Sequence, residues 1–227
     1  MADNYLEKRY EETLGTNRPK VKRIGHTVDE LLLKNRSTRG YKKTYRVSRA
    51  ELERIAAVCT RIPSARNQQV LRMKLVTHDT LLRPAGTSPN VGEENASAQV
   101  LPLLKMGAAL PELHLPFPGT EPEAFIVVCS TVEENAMVDI DLGIAAQSML
   151  LKAVEMGLNG LIIAAFNRAK LQEILALPYP PLLVIAIGKG DERIELTPIA
   201  EGDSHAYYRR DGIHYVPKVR AAELLID

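Results

Sequence analysis

Tryptophan is absent from this 227-residue chain and cysteine occurs only twice. No run of residues approaches the ~18 consecutive apolar positions of a membrane-spanning helix, so no membrane partner is expected. Cys59 and Cys129 each sit in an apolar stretch and read as buried, reduced thiols, not as a disulfide or a metal site. Residues 1–10 are polar and charged where a signal core would be apolar, which makes the cytoplasm the expected compartment. Neither G-x-S-x-G, H-E-x-x-H nor a paired C-x-x-C occurs, which sets aside the common hydrolase and zinc patterns. His26, His78, His114, His205 and His214 are scattered without ligand spacing and read as structural or surface groups. Gly188-Lys189-Gly190 is a fragment of a phosphate loop at most, and reads as a turn after a strand.

What remains is an ordinary globular composition, 45% hydrophobic and 25% charged, long enough to bury a sizeable core. Residues 1–25 are polar and end in a basic run, so they read as an N-terminal arm ahead of a single domain over 26–227. The net charge of +1 is unevenly spread, since residues 1–61 hold 15 Lys/Arg against 8 Asp/Glu. Such a region fits a solvated surface or a local anion site. It lacks the interleaved aromatics, zinc-finger spacing or RNA-binding signature that would suggest a nucleic-acid partner.

Two capping boxes, Thr27-Val28-Asp29-Glu30 and Ser48-Arg49-Ala50-Glu51, predict helix starts, because each hydroxyl and each Glu carboxylate satisfies a free backbone donor. Leu31, Leu32 and Leu33 supply the apolar face of the first helix; Leu52, Ile55, Ala56 and Cys59 recur at helical spacing in the second. Residues 71–78 read as a strand, 79–100 as a long loop able to move over a pocket, and 100–110 as a short helix. Strands are predicted at 124–129, 161–163 and 182–187, with a short helix capped by Asn167 between the last two. From about 136 to 156 runs a long helix that is apolar round much of its circumference, more than one buried face would use, and Gly157 ends it. The order of elements in this half is of α/β type.

Four segments carry the candidate chemistry. Arg36-Ser37-Thr38-Arg39 clusters guanidinium forks and hydroxyls as a phosphate requires. Pro63-Ser64-Ala65-Arg66-Asn67-Gln68-Gln69 sets two amides two residues apart, suited to a polar heteroaromatic ring. Residues 139–147 lead the apolar helix towards Gly157-Leu158. Pro217-Lys218-Val219-Arg220 sets two cations two residues apart, pointing the same way on an extended chain.

Together these segments resemble the nitroreductase family of FMN-dependent NAD(P)H oxidoreductases, over about residues 27 to 220. The family's R-R-S-x-R pattern is met at Arg36, Ser37 and Arg39, with Asn35 in place of the first arginine. Its P-S-x-x-N-x-Q signature is met throughout, but Val70-Leu71 stands where Pro-Trp usually follows. The resemblance implies an α+β, nitroreductase-like fold, with a central mixed β-sheet flanked by helices, in an intertwined homodimer. It implies FMN as cofactor, NADH or NADPH as co-substrate, and a nitroaromatic, quinone or similar small electron acceptor. By the same resemblance Arg36, Ser37, Arg39, Lys218 and Arg220 would neutralise the flavin phosphate, with Lys105 a further contact. Pro63, Ser64, Ala65, Asn67 and Gln69 would address the ring from the partner subunit. Ile163, Ala164 and Ala165 would present backbone groups to flavin N5, where many members carry Glu-Gly. No side chain need act as a catalytic acid. Flavin binding without turnover, flavin remodelling and reductive dehalogenation are the alternatives the resemblance leaves open.

Overall fold

Alternation along two fully buried strands decides how this molecule is layered. The computed structural model describes residues 25–82, 92–107 and 113–226. Strands β1 (Leu71–Val76), β4 (Ala124–Ser130), β6 (Pro181–Gly188) and β5 (Asn159–Ile163) form the central sheet in the order β1-β4-β6-β5. Phe125, Val127, Cys129, Val184 and Ala186 point to one face, where they meet Val100 and Leu171. Ala124, Ile126, Val128, Leu183, Ile185 and Ile187 point to the other, against Leu52, Ile55, Ala146, Met149 and Ala153. Burial on both faces is why β4 and β6 read as continuous apolar runs instead of alternating ones.

All pairings described in this sheet are antiparallel, which corrects the expected mixed sheet. The physical reason lies in the crossover from β4 to β5. The two run in the same direction but leave a gap of one strand, and β6 fills it antiparallel to both.

The capped helices form as expected. In α1 (Val28–Lys34) and α2 (Arg49–Ala56) both reciprocal bonds of each capping box are present. Leu52 and Ile55 of α2 are fully buried, worth roughly 1.5–3 kcal/mol each in burial. The long helix α4 (Ala136–Glu155) starts at Asn135, whose side chain accepts from Met137 and Val138 N–H. Gly157 follows it at φ +76°, as a helix-ending glycine requires. Helix α5 (Arg168–Ile174) is capped by Asn167. Burial pushes both cysteine thiols up to about 11, so neither is an activated nucleophile.

Two expectations change. The helix foreseen at 100–110 lies earlier, as α3 (Ala96–Val100) continued by a 3-10 turn over Leu101–Leu103. The foreseen loop 79–100 contains a short antiparallel pair, β2 (Leu81–Leu82) with β3 (Glu94–Asn95), before α3 begins. Its centre, residues 83–91, lies outside the described residues, as does the N-terminal arm up to residue 24.

Gly188 and Gly190 earn their place by close approach. A Cβ on Gly188 would meet the Tyr41 ring at 2.5 Å, and one on Gly190 would meet Asn159 Oδ1 at 2.7 Å. The sequence did not foretell the second sheet, β7 (Arg193–Ile199), β9 (Ile213–Val219) and β8 (Tyr208–Arg210), in the order β7-β9-β8. Here the pairing is mixed, β7 with β9 parallel and β8 with β9 antiparallel.

Candidate functional site

The segment after α1 is laid along the open edge of the central sheet. Ser37 bridges Gly160 of β5, and Thr38 N–H donates to Gly160 O at 3.0 Å. No side chain would fit at position 160, where a Cβ would sit 2.5 Å from Leu150 Cδ2 and 2.7 Å from Ala186 O. On the other side of the segment the buried carboxylate of Glu192 accepts the backbone N–H groups of Arg39 and Gly40, and pairs with the guanidinium of Arg209. Arg39 is oriented further by its Nε–H, which donates to Met106 O at 2.8 Å.

These restraints build one wall of a cavity of about 480 Å³. Arg36, Ser37, Arg39 and Lys218 all line it, so four of the sequence-predicted residues come together although they stand some 180 positions apart in the chain. Strand β9 closes it with His214, and the stretch leading into β8 with His205 and Tyr207. No Asp or Glu among the described residues lines it. Arg36 Nε is buried and has no hydrogen-bond partner among the described residues. Burial also lowers the pKa of Arg36 from its ordinary value. Asn35, which replaces an arginine of the family pattern, donates its side-chain amide to Gln147 on α4 at 3.1 Å, and both line the cavity.

Other predicted residues fall elsewhere. Arg220 does not line this cavity; its guanidinium pairs with Glu223 at 2.7 Å. Lys105 is exposed and its backbone N–H donates to Ala165 O. Ile163 is buried at the end of β5, while Ala164 and Ala165 beyond it are exposed.

The second predicted group gathers nearer the start of α4. Pro63, Ser64 and Gln69 line a cavity of about 240 Å³, and Ala65 a neighbouring one of about 470 Å³. Buried Asp141 of α4 lines both, and its carboxylate accepts Ala65 N–H at 2.8 Å. Gln69 donates its amide to Asn67 Oδ1 at 2.9 Å, which leaves Asn67 an amide donor and Gln69 an amide acceptor side by side. Arg66, Asn67 and Gln69 adopt left-handed backbone, with φ of 51°, 54° and 48°. Each such non-glycine residue costs about 1–2 kcal/mol, a concentration of strain of the kind found at ligand sites.

Within one chain the two groups do not meet. Asp141 and Gln147, which anchor them, are six residues apart on α4, about 9 Å along the axis and about 120° apart round it. Sequence reading did not pick out Glu192, Arg209 or Tyr207 and took His214 as a structural or surface group; all four lie on or beside the unforeseen second sheet.

A protein-family model described as the nitroreductase family matches residues 32–189. Among solved structures, a nitroreductase family protein from Streptococcus pneumoniae is 16% identical, with a TM-score of 0.56 over 74% of this chain and 93% of that one. A protein from Exiguobacterium sibiricum, solved in complex with FMN, is 18% identical, with a TM-score of 0.55 over 76% and 92%. An FMN- and NADPH-dependent nitroreductase from a Sphingopyxis strain is 20% identical, with a TM-score of 0.54 over 73% and 89%. No curated protein matches the sequence. The match over residues 32–189 and the shared α+β fold with its antiparallel central sheet establish that this chain belongs to the nitroreductase family.

Proposed function

We propose that the protein is an FMN-dependent oxidoreductase that draws electrons from NADH or NADPH and delivers them to a nitroaromatic, quinone or similar small acceptor. The observation that carries this reading is the cavity at Arg36, Ser37, Arg39 and Lys218. It gathers three cationic side chains and a serine hydroxyl, with no carboxylate among the described residues. That donor set fits a phosphate monoester. Arg36, Arg39 and Lys218 would neutralise the phosphate, with Ser37 supplying a hydroxyl. The Asn35–Gln147 amide pair faces the same space and suits the hydroxyls of a ribityl chain.

The paired donor and acceptor of Asn67 and Gln69 suit the polar edge of a flavin ring. Because they lie on another face of α4 from the phosphate cavity, a complete site takes one group from each of two chains. Met137 and Ile140 of α4, 53% and 54% exposed, supply apolar surface for such a homodimer. The bound flavin would supply the redox chemistry, and the chain's own part is to hold it, orient its ring and shield it.

Rapid anaerobic mixing of the purified holoprotein with NADH or NADPH tests the proposal. Loss of the flavin's visible band, and its return on adding a quinone or nitroaromatic, is the expected result. A band that never bleaches would instead mark a flavin-binding protein without turnover. A colourless protein that takes up no FMN would refute both.

A further inference from the structure

We infer that His214 is a direct contact for the phosphate end of the ligand, and that through it the C-terminal sheet makes the cavity select a phosphorylated flavin over an unphosphorylated one. This rests on the flavin reading above, but it concerns a part of the chain beyond the residues that the family model matches.

His214 is carried at the centre of the second sheet, paired in register with Ile194 of β7 and Arg209 of β8. Only 3% of it is exposed, yet it lines the same cavity as Arg36, Arg39 and Lys218. Tyr207 packs against the ring edge-on, with centroids 5.2 Å apart at 65°, and so fixes its direction. Tyr207 in turn lies under the Arg39 guanidinium, 5.7 Å from its ring centre. The imidazole is thus held as firmly as the cation beside it.

The state of the ring follows from its surroundings. Burial, then the guanidinium groups of Arg209 and Arg39, lower its pKa, while Glu192 works weakly the other way. His214 is therefore neutral at neutral pH and carries one N–H. Nδ1 is shielded and has no partner among the described residues. We place the proton on Nε2, because buried N–H groups without a partner are rarer than buried acceptors without one. Nε2 makes no hydrogen bond to a described residue, which leaves it free to donate to a ligand in the cavity that His214 lines.

A neutral donor among fixed cations is an odd choice for binding a cation or an apolar ring, and a good one for an anion. Glu192, the nearest carboxylate, cannot serve as its partner in the cavity, because it is occupied by Arg39 N–H, Gly40 N–H and Arg209. A phosphate monoester would supply the acceptor that His214 lacks. Both FMN and the ribose phosphate of NADPH carry that group, and the inference commits to FMN.

The test measures dissociation constants for FMN and riboflavin with the wild type, His214→Phe and His214→Gln. Phe preserves the edge-on packing and removes the N–H, whereas Gln returns an N–H close to the position of Nε2. One hydrogen bond to a charged group predicts that His214→Phe weakens FMN binding about ten- to a hundredfold, leaves riboflavin binding unchanged, and is largely rescued by Gln. Equal losses for both flavins, or no loss for FMN, would overturn the inference. So would a variant that keeps its FMN affinity and loses only its preference for NADPH over NADH. A wild type that binds neither flavin would sink the flavin reading itself, which separates the two failures. If the variants do not fold, ring-nitrogen NMR of the wild type decides: the His214 resonances must shift on adding FMN and stay in place on adding riboflavin.

Discussion

Glu192→Gln is the substitution for which the structure sets the tightest expectation. The wild-type side chain is 7% exposed and accepts the backbone N–H groups of Arg39 and Gly40, while pairing with Arg209, itself 20% exposed. Gln has the same shape and keeps one carbonyl oxygen, which at the Oε2 position still accepts both backbone N–H groups. Its NH₂, however, faces the Arg209 donors, and Arg209 is left as a largely buried charge without its carboxylate. Removing one partner of a buried pair costs ~3–5 kcal/mol; the partial exposure of Arg209 argues for the lower end. At about 2–4 °C per kcal/mol for a domain of this size, a loss near 3 kcal/mol lowers Tm by about 6–12 °C. Thermal and urea unfolding at one fixed protein concentration read this directly, since self-association would otherwise shift the midpoint. Adding Arg209→Met removes the stranded charge, so the double variant should regain at least half of the loss. A single variant within about 1 °C of wild type, or a double variant whose losses simply add, would refute the role given to Glu192.

Three further outcomes are expected. Asp141→Ala leaves Ala65 N–H without its acceptor and should cost about 1–3 kcal/mol in urea unfolding; a change below about 0.5 would mean that water replaces the carboxylate. Lys218→Ala should weaken FMN binding about tenfold, and Arg220→Ala by a distinctly smaller factor, because the Arg220 guanidinium is engaged by Glu223; equal losses in a fluorescence titration would show that Arg220 turns to the ligand. His214 has its pKa lowered from 6.5, chiefly by burial and then by Arg209 and Arg39, so the folded state binds fewer protons than the unfolded chain. Its contribution to stability is present above about pH 6.5 and is lost as pH falls through the lower folded value. His214→Phe should therefore flatten the dependence of Tm on pH below about 6.5, and an unchanged slope would contradict the assignment.

The elements that the sequence announced are those whose signals are local. Each capping box names its helix start in four residues, Gly157 marks one helix end, and β4 and β6 are unbroken apolar runs of strand length. The direction of pairing is not local. Nothing in residues 136–163 states that the β4–β5 crossover skips a position, so a mixed sheet was the natural expectation and an antiparallel one the result. The second sheet is a different case, since its signals were present. Arg193-Ile194-Glu195-Leu196-Thr197 alternates, and Asp211-Gly212 forms a two-residue hairpin loop with φ of 52° and 75°, the conformation that Asp-Gly favours. Charged residues at every other position hid a strand whose apolar face is only half buried. Missing it hid His214 and Glu192, whose roles exist only once that sheet stands against the residue 36–40 segment.

Helix α4 explains why a site so dispersed in sequence is specified by so few positions. Its hydrophobic residues divide between two surfaces: Ala145, Ala146, Met149 and Ala153 are buried against the sheet, while Met137 and Ile140 stay exposed. Between those surfaces the helix places its polar side chains sparingly. Asp141 fixes the strained 64–69 turn and Gln147 fixes Asn35 at the cavity of Arg36 and Lys218, so one rigid rod sets the position of both groups. A second copy docked through the exposed face would inherit the same spacing. The geometry of the composite site would then be governed by a single helix–helix contact, and the local departures at Asn35, Val70-Leu71 and Ala164-Ala165 would alter which molecules enter without altering where the flavin lies.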